Sequence, residues 1–167
     1  MNETADVEHH TAVLNGIRQH WVSAGDGPPV YLLHGFPETW FGWRKQIAVL
    51  AEHHTVVAPD LRGYGATDKP ASGYDKRTMA ADVVALMDHL GHPRAAVVGH
   101  DRGARVATRL VKDHPDRVDA SPHWTTSPPG SWPPSSAGSW CRTAGSSPSS
   151  ASPTCLRPSS PAARRPG

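Results

Sequence analysis

The stretch from Ala95 to Arg105, AAVVGHDRGAR, restricts this chain more than any other. Ala95 to Val98 reads as a buried strand, Gly99 to Gly103 as a sharp turn, and the residues after it as the first turn of a helix. The glycines at Gly99 and Gly103 flank Asp101 symmetrically. Such spacing predicts a strained residue between them, because a Cβ at either flank would collide with neighbouring backbone. Asp101 then stands at the C-terminal end of a strand, beneath the N-terminus of a helix. A side chain there faces the crevice above a parallel sheet, and a carboxylate in that place is a candidate nucleophile.

The segments before it supply the rest of such a sheet. Thr11 to Leu14 and Ile17 to Ser23 read as two short strands, joined by Asn15-Gly16, a strong two-residue hairpin signal. After the Gly25–Pro29 loop comes Val30 to Leu33, a continuous apolar run as expected of a strand buried on both faces. Trp40 to Glu52 has helical spacing at Trp43, Ile47, Leu50 and Ala51. Thr55 to Ala58 is the next strand, and it runs into the turn-rich loop Pro59 to Gly65. Thr78 to Leu90 carries Met79, Val83, Leu86, Met87 and Leu90 on one helical face, with Gly91 as C-cap. Arg102 to Asp113 is the helix after the turn. Apolar strands alternating with helices predict an α/β fold with a doubly wound, mostly parallel sheet. Right-handed crossovers then bring the loop ends near His34, Asp60 and Asp101 to one edge.

Charge divides the chain in two. All fifteen Asp and Glu lie between Glu3 and Asp119, against thirteen Lys and Arg in the same span; four Arg and no acid follow. The net +2 is therefore the sum of a mildly acidic part and a basic one, and no basic patch interleaved with aromatics points to nucleic acid. The polar start, MNETADVEHH, is unlike a signal peptide, and no apolar run approaches the roughly 20 residues that span a bilayer. A cytoplasmic protein, with neither nucleic acid nor membrane as partner, is the expectation. Cys141 and Cys155 give no supported disulfide.

In order and spacing, His34 to Trp40 (HGFPETW), Asp60 to Pro70 (DLRGYGATDKP) and Val98 to Ala107 (VGHDRGARVA) resemble the α/β-hydrolase fold family. The resemblance is to its subgroup with an aspartate nucleophile on a nucleophile elbow, and it covers about residues 11 to 119. That subgroup contains haloalkane dehalogenases, epoxide hydrolases and haloacetate (fluoroacetate) dehalogenases. A carboxylate is ionised at neutral pH and needs no activating base. The resemblance implies that Asp101 displaces a leaving group from an sp³ carbon to give an alkyl ester, which a histidine-activated water then hydrolyses. It implies the backbone N–H groups of Phe36 and Arg102 as the oxyanion hole. It also makes His34 a site residue on the substrate side that orients the oxyanion loop rather than acting as a base. No cofactor and no metal are implied, and a homodimer is left open for full-length members.

Dehalogenases of haloalkanes and epoxide hydrolases usually carry Trp after the nucleophile. This chain has Arg102, and Arg105 one turn on. Two guanidinium groups suit a substrate carboxylate, held bidentately. The pattern is similar to the D-R-x-x-R of fluoroacetate dehalogenases, so Arg102 and Arg105 are expected to bind a haloacid. HGFPETW with Trp43 resembles epoxide hydrolases equally, and an epoxide is the alternative substrate. The structural alternative for the two arginines is pairing with an acid on a neighbouring loop, such as Asp60.

From Ala120 to Gly167 the sequence changes character, with thirteen Ser, ten Pro, no acid, no Lys and no Val or Ile. Such a composition predicts a disordered Ser/Pro-rich tail over 120–167, following the α/β-hydrolase part over 1–119. Back-translation suggests a frameshift. Read across codon boundaries, His123-Trp124-Thr125 must give Leu-Asp whatever codons are used. Aspartate at this place is the acid partner of the catalytic histidine in fluoroacetate dehalogenases. Without that acid, the cap and a later histidine, the expectation is a chain that alkylates Asp101 at most once, an inactive remnant. Half a parallel sheet is further expected to leave an unpaired hydrophobic edge and a half-covered face.

Overall fold

The computed structural model describes residues 6–120 and 123–124. Its centre is one mixed, mostly parallel sheet with helices on both faces. Two strands open the chain, β1 (Glu8–Leu14) and β2 (Ile17–Ala24). Their antiparallel pairing puts Leu14 opposite Ile17. Asn15 and Gly16 both take positive φ, 48° and 78°, as a type I′ turn requires. The hairpin joins the parallel part through β2, which pairs antiparallel with β4 (Thr55–Pro59). The order continues with β3 (Pro29–Leu33), β5 (Ala95–His100) and β6 (Val118–Ala120), all parallel.

Two apolar layers cover the sheet. On one face Tyr31, Leu33, Val57 and Val97 pack with α2 (Lys76–His89) and α3 (Arg102–Asp113) through Met79, Val83, Leu86, Val106 and Leu110. On the other, Val30, Leu32, Val56 and Ala58 pack with α1 (Arg44–Leu50) through Ile47. That second layer is incomplete over β5, where Ala96, Val98 and His100 are only half-buried.

Three departures from the sequence reading have local causes. Trp40 to Glu52 is not one helix: Trp40–Trp43 is a 3₁₀ turn and α1 ends at Leu50. Trp-Phe-Gly-Trp is a poor α-helix start. Past Leu50 the backbone of Ala51 and His53 lies against Gly25 and Gly27, where a Cβ would come within 2.3 and 2.6 Å of their carbonyl oxygens. Helix α2 starts two residues before Thr78 because Asp75 caps it, its carboxylate accepting from the Arg77 and Thr78 amides. The edge beside β5 is occupied rather than open. Both β6 and β7 (His123–Trp124) pair with β5, His123 opposite Gly99 and Trp124 opposite His100. Parallel pairing thus continues past the boundary expected at residue 119. Apart from Ala120, His123 and Trp124, the expected tail and both cysteines lie outside the described residues.

Candidate active site

Local sterics build the site around Asp101. Its φ of 46° and ψ of −108° are unfavourable for a residue with a side chain, by roughly 1–3 kcal/mol. The surroundings over-determine that conformation. A Cβ on Gly99 would fall 2.6 Å from the Ala104 Cα, and one on Gly103 would fall 2.1 Å from the Leu33 carbonyl oxygen. Gly99 therefore lets the first turn of α3 fold back onto β5, and Gly103 lets α3 lie directly on β3, so that the chain turns sharply at Asp101.

The half-buried carboxylate of Asp101 faces the loop after β3, where its Oδ2 accepts a 3.1 Å hydrogen bond from the Phe36 amide. That bond holds the carboxyl below the ordinary range against the opposing effect of burial. The Arg102 amide and the charges of Arg105 and His100 act in the same direction. The structure thus brings the Phe36 amide onto Asp101, with the Arg102 amide next to it in the chain.

Around this centre the Phe36 ring is 62% exposed and meets Tyr64 edge-on at 6.4 Å. Arg102 lies over both rings, its guanidinium carbon 5.5 Å from the Phe36 centroid and 5.9 Å from that of Tyr64. Arg105 is exposed on the first turn of α3. Among the described residues neither arginine is paired with a carboxylate. Pairing with Asp60 does not occur, because Asp60 is buried and its oxygens are taken by the Trp40 and Ala66 amides and by His20.

His34 requires a correction. It is fully buried, so its placement on the substrate side does not hold. Its Nε2 accepts from the Leu61 amide at 3.0 Å, which leaves the ring proton on Nδ1 to donate to the Gly35 carbonyl at 2.8 Å. Burial lowers its pKa and keeps it neutral. It ties the Phe36 loop to the Asp60 loop from behind. An HGFP motif does not reveal which way its imidazole turns.

Other residues near the site carried no motif. Lys76, half-buried at the start of α2, has its pKa lowered by burial and then by the charges of Arg102 and Arg105. Its proximity depends on how α2 packs on α3, which no sequence spacing reports. Glu38 Oε2 accepts from the Gly35 amide at 3.1 Å and lies 3.3 Å from His100 Nδ1. His100 thereby sits on the α1 side of β5, away from Asp101's open face. A cavity of about 460 Å³ lies there too, lined by Leu32, Trp43, Gln46, Val98 and His100, and Asp101 does not line it. Among the described residues no group of three or more His, Cys, Asp or Glu is placed to hold a metal. None of their helices is long and apolar enough to cross a membrane.

Residues 28–134 match the family model described as alpha/beta hydrolase fold. A soluble epoxide hydrolase from Corynebacterium sp. (strain C12) is 50% identical over 116 residues, which make up 70% of this chain and 41% of that protein. A fluoroacetate dehalogenase from Burkholderia sp. is 46% identical over 102 residues, 58% of this chain and 34% of its own length. Among solved structures, the epoxide hydrolase CorEH superposes with a TM-score of 0.70 at 49% identity, covering 71% of this chain and 42% of that one. The chain spans about two fifths of the length of the first of these relatives.

Proposed function

Since the chain belongs to the alpha/beta hydrolase family, we propose that it carries the nucleophile half of a haloacetate dehalogenase-like site. In this reading Asp101 Oδ1 attacks the carbon bearing the halogen. A C–O bond forms, the C–X bond breaks, and the halide leaves with the electron pair. The Phe36 amide on Oδ2 keeps the carboxylate ionised and fixes the plane of attack. In the hydrolytic half-reaction the Phe36 and Arg102 amides would hold the oxyanion formed at the ester carbonyl.

The observation that carries the substrate class is the pair of guanidinium groups, Arg102 and Arg105, beside an ionised Asp101 and without an acidic partner among the described residues. Arg102 is already seated on an aromatic shelf, which costs it little ordering entropy on meeting a carboxylate. An epoxide is the second reading, favoured by the names of the relatives. Residues 1–119 are the hydrolase part under this proposal, and turnover needs a base and acid that the described residues do not bring to Asp101.

Bromoacetate and styrene oxide separate the two readings. Intact mass and peptide mapping are expected to show one carboxymethyl group on Asp101 per chain, with one bromide released. Replacing Arg102 or Arg105 by Gln is expected to raise the bromoacetate concentration at half-maximal labelling about tenfold, as losing one charge-assisted pair does. Styrene oxide labelling without bromoacetate labelling overturns the haloacid reading.

A further inference from the structure

Asp60 is one of the most completely engaged side chains in the molecule, yet it lies outside the reaction described above. It is 1% exposed. Its Oδ1 accepts from the Trp40 amide at 2.9 Å, and its Oδ2 from the Ala66 amide at 3.0 Å and from His20 Nδ1 at 2.8 Å. A Cβ on Gly65 would come within 2.0 Å of Oδ2, so that glycine leaves the space the carboxylate fills. Behind it, His20 is itself buried, and its Nε2 lies 3.0 Å from Nδ1 of the exposed His9, which stacks on it.

These bonds converge on the short segment that carries the Phe36 amide. Its far end is fixed where the Trp40 amide meets Asp60. Its near end is fixed through the next residue, since the Leu61 amide donates to His34 and His34 donates to the Gly35 carbonyl. The Asp60 amide in turn bonds the His20 carbonyl, which anchors the arrangement to β2. Phe36 itself lies between the two fixed ends; its ring is mostly exposed and meets Tyr64 and Arg102, while the two ends fix the backbone that carries its amide.

We propose that Asp60, backed by His20, is the positioning residue for the Phe36 amide: its carboxylate clamps the Trp40 end of the 34–40 segment while the Leu61 amide beside it holds the His34 end, and this sets the hydrogen bond that holds and orients Asp101. This rests on Asp101 as the nucleophile. Its consequence is that a change more than one loop away from Asp101 alters the ionisation and the reactivity of the nucleophile without touching substrate.

The test uses the 167-residue chain and two readouts. One is the pH titration of the Phe36 backbone amide by NMR, which follows Asp101 ionisation through their hydrogen bond. The other is the rate of Asp101 carboxymethylation by bromoacetate, resolved into maximal rate and half-saturating concentration. In Asp60→Asn the amide side of Asn must face one of two backbone donors. The Phe36 titration midpoint is expected to rise by roughly one pH unit, and the maximal labelling rate to fall about tenfold or more at unchanged half-saturation. His20→Gln, which leaves both amides on Asp60, is expected to move both readouts the same way by less. A folded Asp60→Asn with wild-type midpoint and rate overturns the proposal. Should Asp60→Asn fail to fold, an unchanged midpoint in His20→Gln overturns it instead. Absence of labelling in the wild-type chain refutes the nucleophile reading alone, because the Phe36 titration still decides the positioning.

Discussion

Replacing Gly103 by alanine tests how tightly the turn at Asp101 is packed. The new Cβ would lie 2.1 Å from the Leu33 carbonyl oxygen, 2.5 Å from the Leu33 carbonyl carbon and 2.7 Å from the His34 oxygen. All three are backbone atoms of β3 and the residue after it, a strand held on both sides by β4 and β5. No side chain can swing aside, so α3 must lift from the sheet by about an ångström. Overpacking of this kind costs about 1–3 kcal/mol, and a rigid neighbour puts it near the upper end. Alanine recovers about 1 kcal/mol of helix propensity. The net destabilisation is therefore about 2 kcal/mol, or a fall of roughly 8 °C in Tm. Urea unfolding followed by tryptophan fluorescence measures it. Gly91→Ala is the control: its Cβ meets nothing within 4 Å but its φ is +70°, so only backbone strain of about 1 kcal/mol is expected. A neutral or stabilising Gly103→Ala would refute the close approach of α3 to β3.

Three more outcomes follow from buried polar groups and backbone. Arg62 is buried with both Nε and Nη2 on the Asp82 carboxylate, at 2.8 and 2.7 Å. Asp82→Ala strands that charge and is expected to cost about 3–5 kcal/mol in equilibrium unfolding; a loss under 1 kcal/mol would count against burial of the pair. His34 has a pKa depressed by burial, so the unfolded chain takes up a proton before the folded one does. Its contribution to stability is complete above the ordinary histidine value near 6.5 and is lost as the pH falls from there toward the folded value. Urea midpoints measured through that window should slope downward toward acid, and His34→Gln should flatten the slope. Gly16→Val places a β-branched side chain at a φ of 78° and should weaken the hairpin by about 1–2 kcal/mol, read from hydrogen exchange in β1 and β2.

Local rules made much of the fold legible. Asn15-Gly16 announced the hairpin, and Gly99 and Gly103 announced the turn, because each depends on the steric freedom of a residue and its immediate neighbours. The bounds of α3 were legible for the same reason. Asp75 carried no mark as a cap, since it stands three residues before Thr78, where the apolar pattern that marks α2 begins. Side-chain direction and long-range pairing were the harder parts. His34 and Asp60 could be placed near the site from their loops. Whether His34 faced substrate or core depended on a bond to Leu61, and whether Asp60 met Arg102 or His20 depended on strand pairing across the sheet. Lys76 approaches Arg102 and Arg105 only because α2 lies against α3.

The central place of β3 has a consequence for how the molecule is made. Val30 pairs with Val56 on one side and with Ala96 on the other, and the Phe36 amide reaches an aspartate 65 positions further along. Contacts that close loops of that length form late, after local helices and the hairpin, because the entropy of closure precedes any gain from pairing. A chain emerging from the ribosome holds the Phe36 loop long before it holds its partner. The hydrogen bond between Phe36 and Asp101 is therefore a timer: its appearance in a refolding experiment marks the moment β5 docks, and the slow phase of folding should carry it.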